Sequence, residues 1–280
     1  MQRCKRMLLR VGVFPIRNHY YEPMFDTRDL RTVPESRVLP GIDWNEEQQL
    51  ALLASFDYRD EITREFSNWR GLPPFYLGNP SFDAGDAEFW YSFVRLRRPG
   101  KILEIGGGFS TLIARRAVQL NTSNDSGYEC DHTCIEPYEV PWLERAGVKV
   151  IRQRVEGLGI EAFTSLGPGD VLFIDSSHVI RPRGDVVFEL LEVLPSLSRG
   201  VIVHVHDIFT PRDYPPSWVR DKVLFWNEQY LLEAFLTNNH EWKVIGALNF
   251  LHHNFHEQLA AKCPFLTPAH EPASFYMEKL

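Results

Sequence analysis

Cysteine is scarce in this sequence, and long hydrophobic runs are missing. The 280 residues include four cysteines, too few for a disulfide framework, so we expect a reducing compartment. No stretch reaches the roughly 18 apolar residues of a membrane span, so no membrane partner is predicted. The formal net charge of -7 argues against nucleic acid as the main partner. The segment from Met1 to Phe14 also lacks a signal-peptide cleavage site, and these absences together predict a cytoplasmic protein.

Two clusters of metal-binding residue types lack the partners that a metal site needs. Cys130 and Cys134 have no second Cys or His pair at zinc-ligand spacing, so we interpret them as a polar loop that leads into a strand. His252, His253 and His256 lack the glutamate of the zinc-protease helix pattern, so we interpret them as a strand end and a loop.

The most informative segment that is present reads KILEIGGGFST, at residues 101–111. It predicts a buried strand, a turn of three glycines on which a ligand can lie directly against the backbone, and a helix capped by Ser110 or Thr111. Thr111 stands where a dinucleotide fingerprint requires a third glycine. Glu104, two residues before the first glycine, suits a positively charged ligand better than a pyrophosphate. S-adenosylmethionine (SAM) carries an ammonium and a sulfonium and no phosphate.

Strand and helix patterns alternate from residue 101 onward. Strands are predicted at 101–105, 133–136, 148–152, 170–174 and 201–206, and helices at 110–120, 139–146, 157–165 and 184–194. Because the strands are nearly continuous apolar runs, they predict a parallel sheet covered by helices on both faces, an α/β fold. After a helix at 227–238, strands at 242–245 and 249–252 are predicted to close the sheet as a hairpin.

Polar side chains follow several of these strands, at the edge where an open parallel sheet binds its ligands. Glu136 ends the second strand, where a carboxylate can accept the hydroxyls of a ribose. Asp175 and His178 follow the fourth strand, and Asp207 follows the fifth. A histidine with an ordinary pKa near ~6.5 can take a proton from a substrate hydroxyl at neutral pH. The sequence therefore predicts an acid–base site beside the glycine turn.

Nine segments carry a family resemblance. They are LPGIDWN at 39–45, NPSFDAGD at 79–86, EIGGGFS at 104–110, IEP at 135–137, FIDSSH at 173–178, HVHDIF at 204–209, RDYP at 212–215, Trp218, and WNEQY at 226–230. With them the chain resembles class I SAM-dependent methyltransferases, and more closely a bacterial branch of small-molecule and glycan-type methyltransferases. The resemblance implies a Rossmann-like sheet of seven mostly parallel strands with the last strand antiparallel, helices on both faces and an N-terminal helical cap.

The same resemblance implies a set of cofactor-binding residues at the ends of the first, second and fourth strands. They are Glu104, Gly106, Gly107, Gly108, Ser110, Glu136 and Asp175. It also divides the chain into an N-terminal arm and cap at 1–80, a SAM-binding methyltransferase domain at 81–255 and a C-terminal tail at 256–280. We expect the N-terminal region to cap the pocket, and it is also a candidate for forming a homodimer.

The ends of the fourth and fifth strands are similar to those of catechol-type O-methyltransferases, which bind a metal ion there. Asp175 and Asp207 match two of the metal ligands, and His178 falls where that family has its catalytic lysine. Ile208 replaces a third ligand, an asparagine. A Mg²⁺ ion or another divalent cation on Asp175 and Asp207 is therefore a hypothesis, with water completing the shell or His206 binding a softer ion.

The resulting prediction is methyl transfer from SAM to the oxygen of a small molecule or sugar. His178 would be the general base, with Asp175 and Asp207 orienting it, the hydroxyl or a cation. Tyr214, Trp218 and His206 would line the acceptor site, although the two aromatic residues are equally suited to packing the accessory segments. Three alternatives stay open: a NAD-dependent oxidoreductase, a SAM-binding protein that catalyses a non-methylating reaction, and a non-catalytic binding protein.

Overall fold

The computed structural model describes residues 7–13, 15–16, 23, 36–71, 73–138 and 140–280. They fall into two compact units. The larger unit comprises Ser36–Arg212 and Trp226–Leu280, and the smaller comprises Met1–Glu35 and Asp213–Phe225. Within the smaller unit, Ser217–Asp221 form a π-helical turn. None of the helices in the described part of the chain is long and apolar enough to cross a membrane.

The larger unit is built on one seven-stranded sheet. Its strands are β1 (Lys101–Ile105), β2 (Asp131–Ile135), β3 (Lys149–Ile151), β4 (Val171–Ile174), β5 (Ile202–Val205), β6 (Trp242–Ala247) and β7 (Phe275–Lys279). They lie in the order β3-β2-β1-β4-β5-β7-β6. The pairs among β1 to β5 are parallel, and β7 pairs antiparallel with both β5 and β6. The predicted Rossmann-like sheet with an antiparallel last strand is confirmed.

The origin of the last strand differs from the prediction. The segment expected to form the second strand of a hairpin, at 249–252, lies in the helix Leu248–Asn254 instead. The antiparallel strand comes from Phe275–Lys279, within the segment that we had assigned to a C-terminal tail. Short apolar runs do not distinguish a buried strand from a buried helix. The same helix, and not a strand end, carries His252 and His253.

Helices cover the sheet. They are α1 (Glu46–Ala54), α2 (Arg59–Ser67), α3 (Asp86–Arg97), α4 (Phe109–Asn124), α5 (Glu161–Thr164), α6 (Asp185–Phe188), α7 (Glu228–Leu236), α8 (Leu248–Asn254) and α9 (His256–Lys262). A π-helical segment, Glu189–Val193, continues α6 and leads into Leu194–Ser196. The predicted helix at 139–146 is a short 3-10 turn, Leu143–Ala146, and Glu139 lies outside the described residues. The helix α2 was not predicted.

Helix α3 is buried along most of its length and starts next to the carboxyl ends of the central strands. At its first residue, the Asp86 carboxylate accepts hydrogen bonds from the backbone N–H groups of Ala273 (3.0 Å) and Ser274 (2.8 Å). These bonds fix the segment that enters β7 against the start of α3. Glu88 then closes the first turn, because its carboxylate accepts the N–H groups of Gly85 at 2.9 Å and Phe265 at 2.8 Å.

Burial raises the pKa of Glu88 from its usual 4.5 to about 7. Its contribution to stability is therefore complete at pH values below the pKa of Glu88 in the unfolded chain, and it is lost as the pH rises through about 7. We expect the free energy of unfolding of the wild type to fall relative to that of Glu88→Gln by about 2–3 kcal/mol between pH values of about 5 and 8. Urea titrations at the two pH values measure this difference. Glu257→Gln, at an exposed site, serves as the control. If the difference in free energy of unfolding between wild type and Glu88→Gln is the same at both pH values, the pKa of Glu88 is not raised.

Candidate active site

The glycine turn after β1 holds the ends of two neighbouring strands together. Gly106 adopts a φ of +82°, and a Cβ atom placed on it would lie 2.2 Å from the carbonyl oxygen of Asp175. The backbone N–H of Asp175 in turn donates to the carbonyl of Ile105 at 2.9 Å. Only glycine fits both the left-handed backbone and this close approach. The turn therefore fixes Asp175 against the end of β1.

A cavity of about 440 Å³ opens beside this turn, at the ends of β1, β2 and β4. It lies where the strand order reverses, which is the usual ligand position in an open α/β sheet. Its volume falls within the range of roughly 300–1,000 Å³ that is typical of small-molecule sites. Its lining includes Gly106, Glu136, Tyr138, Asp175 and Ser176.

Glu136 supplies an acceptor at the β2 side of this cavity. Its carboxylate accepts the backbone N–H of Gly107 at 3.2 Å and that of Tyr138 at 2.8 Å. These two bonds fix the orientation of the carboxylate and leave further lone pairs directed to the cavity. An acceptor held in this way suits the vicinal hydroxyls of a ribose.

Glu104 and Ser110 lie beneath the glycine turn instead of lining the cavity. Glu104 is fully buried, and its carboxylate accepts a hydrogen bond from the Ser110 hydroxyl. Its other oxygen lies 2.9 Å from His132 Nε2 and 3.3 Å from Cys134 Sγ. Both residues therefore support the turn from below. Gly107 and Gly108 belong to the turn itself, and neither is among the lining residues.

Asp175, His178 and Asp207 come together at the ends of β4 and β5. His178 Nε2 lies 3.3 Å from Asp175 Oδ1 and 3.5 Å from Asp207 Oδ2. One potential ligand atom from each of the three lies within 4.8 Å of the other two, which is close enough for all three to contact one ion. The structure thus brings together the three residues that the sequence placed after the fourth and fifth strands.

Glu228 at the start of α7 orients the His178 ring, and the sequence reasoning missed it. Its buried carboxylate lies 2.9 Å from His178 Nδ1. The carbonyl of His178 accepts the backbone N–H groups of Asn227 at 2.9 Å and Glu228 at 3.2 Å. The Trp226 ring packs on the imidazole, with 4.2 Å between ring centroids. Nothing in the spacing of the chain signals this contact, because it joins residues 50 positions apart.

The backbone on both sides of this cluster is held in an unusual conformation. His178 and Asp207 each adopt a φ of +59°, in the left-handed region that residues with a Cβ rarely occupy. Such strain is characteristic of functional sites, where the surrounding structure must hold it. Hydrogen bonds from Ser176 to Glu189 (2.9 Å) and from the Ser177 hydroxyl to Asp185 (2.8 Å) hold the loop before His178.

His206 lies next to the same carboxylates. Its Nδ1 is 3.7 Å from Asp175 Oδ1 and 3.6 Å from Asp207 Oδ1, and its Nε2 is 3.7 Å from Asp86 Oδ2. Both ring nitrogens are buried, and neither makes a hydrogen bond within the described part of the chain. His204, two residues earlier on β5, is fully buried and stacks on Tyr276, with 4.0 Å between the ring centroids.

Opposite charges set the protonation of the cluster. Burial alone would lower the pKa of His178, but the Asp175 and Glu228 carboxylates raise it well above its usual 6.5. The pKa of His206 is also raised, against burial, chiefly by Asp207 and Asp175. Burial would raise the pKa of Asp175, but contacts with the two histidines hold it well below its usual range. Burial raises the pKa of Asp207 to about 6 even though both imidazoles oppose the shift.

The remaining predicted site residues belong to other parts of the molecule. Tyr214 and Trp218 are part of the smaller unit, in the segment Asp213–Phe225. Ile208, which replaces the third metal ligand of catechol-type enzymes, is a buried core residue. The sheet is Rossmann-like, and its cavity lies at the switch point, where folds of this kind bind their ligands.

Three comparisons with known proteins bear on the family to which this fold belongs. Residues 103–208 match the family model described as a methyltransferase domain. A protein of Archaeoglobus fulgidus, described as uncharacterized, is 32% identical over 192 residues, which are 59% of this chain and 83% of that protein. The O-methyltransferase from Bacillus cereus, solved in complex with SAH, aligns with 87% of this chain and 93% of its own at 16% identity and a TM-score of 0.39. Residues 103–208 of the chain therefore form a methyltransferase domain of the class I SAM-dependent type.

Proposed function

We propose that this protein is an O-methyltransferase that methylates a hydroxyl group of a small molecule or sugar. One observation carries the proposal: Asp175 belongs to both the cofactor cavity and the acid–base cluster. Asp175 lines the cavity, and its carboxylate lies 3.3 Å from His178 Nε2. A hydroxyl that reaches the cluster therefore lies next to whatever occupies the cavity. Such alignment of nucleophile and methyl group is the main contribution that an enzyme makes to this reaction.

The cavity fits the cofactor of this family. Gly106 lines the cavity at the glycine turn, and Glu136 presents a fixed acceptor for ribose hydroxyls. Asp175 provides negative charge at the inner wall, which suits a sulfonium. SAM supplies an electrophilic methyl group when it is bound. The protein's own residues hold the nucleoside, position the acceptor and manage its proton.

The acid–base cluster supports oxygen as the methylated atom. A hydroxyl must lose its proton as it attacks, and His178 is oriented for this role by Glu228 at 2.9 Å. The Asp175 and Glu228 carboxylates raise the pKa of His178 and so favour its protonated form. We therefore propose that its base function requires a higher pH, or a cation that takes over part of the negative charge around it.

Asp175, Asp207 and His206 fit a divalent cation. The Nδ1 atom of His206 is buried without a hydrogen bond, and it lies 3.6 Å from Asp207 and 3.7 Å from Asp175. Two carboxylates and an imidazole suit Mn²⁺ or Zn²⁺ better than Mg²⁺, which prefers oxygen ligands. A cation on these residues would polarise the acceptor oxygen and leave His178 to act on its proton.

Removal of divalent cations is expected to lower the rate of methyl transfer at least about tenfold, because no cation would then polarise the acceptor oxygen. Mn²⁺ should restore the activity of the wild type but not that of Asp207→Ala. The measurement is SAH release after dialysis against a chelator, with and without added metal. Glu241→Gln, an exposed site remote from the cluster, is the control. Full activity of the metal-free enzyme would exclude the cation.

The cofactor assignment is tested by calorimetric titration with SAM, SAH and NADH in parallel. We expect saturable binding of SAM and SAH and none of NADH. Glu136→Ala should weaken SAH binding about 10- to 100-fold through loss of charge-assisted hydrogen bonds to the ribose. Glu156→Ala, at another position lining the cavity, tests whether any loss of a carboxylate has the same effect. Binding of NADH in place of SAH would contradict the proposal.

The reaction itself is tested by incubating the enzyme with SAM and a panel of hydroxyl-bearing acceptors. Release of SAH together with an acceptor that has gained one methyl group on oxygen would support methyl transfer. SAM binding with conversion of an acceptor but without SAH release would instead indicate a non-methylating reaction. A product methylated on nitrogen would overturn the assignment to oxygen while leaving the cofactor assignment intact.

A further inference from the structure

A second and larger cavity lies along α4. Its volume is about 810 Å³, and its walls come from α2, α4 and the 3-10 turn Leu143–Ala146. It shares no lining residue with the cofactor cavity. The proposed methyl transfer does not involve this cavity.

The charge of this cavity is strongly positive, in a chain whose formal net charge is -7. We call it the arginine cavity, because five arginines line it. They are Arg64, Arg70, Arg115, Arg116 and Arg145. Glu65 is the one carboxylate in the lining. It lies 2.5 Å from Arg116 and 3.6 Å from Arg64, so it partly neutralises these two side chains.

The other three arginines keep their charge available. Within the described residues, Arg70, Arg115 and Arg145 form no ion pair. The Nε atom of Arg115 is buried and has no hydrogen-bond partner there. Its guanidinium lies near Gly147, where a Cβ atom would be 3.4 Å from Nη2. Because it has no ion pair within the described residues, the Arg115 guanidinium adds an uncompensated positive charge to the cavity lining.

We propose that the arginine cavity binds a small ligand with consecutive phosphate groups, such as a nucleoside diphosphate or an inorganic polyphosphate. Guanidinium groups form bidentate hydrogen bonds with phosphate, and several of them around one concave site match a ligand with several negative charges. Trp69 and Leu112 add an apolar wall, which suits the nucleoside form. The concave shape and the acidic chain as a whole favour a small molecule over a nucleic acid.

Calorimetric titration of the full chain with ADP and with inorganic tripolyphosphate, at an ionic strength of about 0.15 M and with excess SAH present, tests the site. We expect saturable binding of at least one of the two with the cofactor cavity filled. Tighter binding of ADP would identify the nucleoside form, and tighter binding of tripolyphosphate the inorganic form. Both outcomes support the site.

Arg70→Ala and Arg145→Ala should each weaken this binding about 10- to 100-fold. Both side chains are exposed, so the variants should fold, and SAH affinity provides the check because neither residue lines the cofactor cavity. Arg199→Ala removes an exposed arginine outside the cavity and should leave binding unchanged. Arg70→Lys keeps the charge but loses the bidentate geometry, so it should bind more weakly than wild type.

Several results would overturn the inference. They are no saturable binding at this ionic strength, equal weakening by Arg199→Ala, and competition by SAH. Tighter binding of a single-stranded oligonucleotide than of either phosphate probe, lost in Arg70→Ala, would assign the cavity to nucleic acid and refute the small-molecule proposal. Failure of the methyltransferase assignment would leave these measurements unaffected, because they do not depend on turnover.

Discussion

Replacing His178 by alanine is expected to lower kcat about 10²- to 10⁴-fold, the usual contribution of a positioned general base, under conditions in which the wild-type imidazole is neutral, at raised pH or with a bound cation. SAH affinity should remain near that of the wild type, because His178 does not line the cofactor cavity. The measurement is steady-state SAH release with the acceptor found in the panel, together with calorimetric titration of SAH. His240→Ala, at an exposed position, is the control. Turnover of His178→Ala at the wild-type level would exclude this residue as the base.

Glu228→Gln separates catalysis from packing. The carboxylate of Glu228 helps to raise the pKa of His178 well above 6.5, so the imidazole loses its proton only at higher pH. If His178 is the base, activity of the wild type should rise as pH rises through that pKa. Neutralising Glu228 lowers the pKa of His178 and should move the rising limb of kcat/KM to lower pH. If His178 only packs against Trp226, the variant would leave the position of the limb unchanged.

Most of the site could be predicted from the sequence because the carboxyl ends of parallel strands meet at one edge. Asp175 and Asp207 each follow a buried strand, so the sheet order alone brings them together. Glu228 could not be predicted in the same way. It reaches His178 from the start of a helix, and only the folding of the intervening chain places the two side chains in contact.

The alternation of side chains along β1 decides which face of the sheet carries the Glu104 carboxylate. Side chains two positions apart point to the same face of a strand, and β1 pairs Glu104 directly with Cys134 on β2. His132 and Cys134 therefore lie on the same face as Glu104, below the turn. The resemblance implies a contact of Glu104 with the cofactor, and in the structure its carboxylate accepts a hydrogen bond from Ser110 beneath the turn.

The C-terminal strand was missed for a different reason. Phe275–Lys279 is short and follows a proline-rich segment, so nothing local distinguishes it from an irregular tail. Its place between β5 and β6 depends on long-range pairing, such as Val203 with Met277. Asp86 reinforces this pairing by accepting the N–H groups of Ala273 and Ser274. Non-local contacts of this kind are what local patterns leave undetermined.

Gly106→Ala is expected to lower the free energy of unfolding by about 2–4 kcal/mol, combining a left-handed backbone penalty with displacement of packed backbone. Its new Cβ would lie 2.2 Å from the carbonyl oxygen of Asp175, which is backbone and has no free rotation with which to move away. The displacement would carry Asp175 with it, so SAH affinity and turnover should fall together. Urea unfolding and calorimetric titration of SAH measure the two effects.

Gly108→Ala provides the matched control two residues away. Gly108 has an extended backbone, with a φ of -167°, and a Cβ placed there would have nothing within 4 Å. The free energy of unfolding of Gly108→Ala should therefore stay within about 0.5 kcal/mol of that of the wild type. A methyl group at this position can then interfere only with a ligand that lies on the turn. If Gly108→Ala folds normally but binds SAH more weakly, the cofactor rests against the glycine backbone. If Gly106→Ala proves as stable as Gly108→Ala, the contact with Asp175 does not constrain the turn, and the coupling of cavity and cluster through this residue fails.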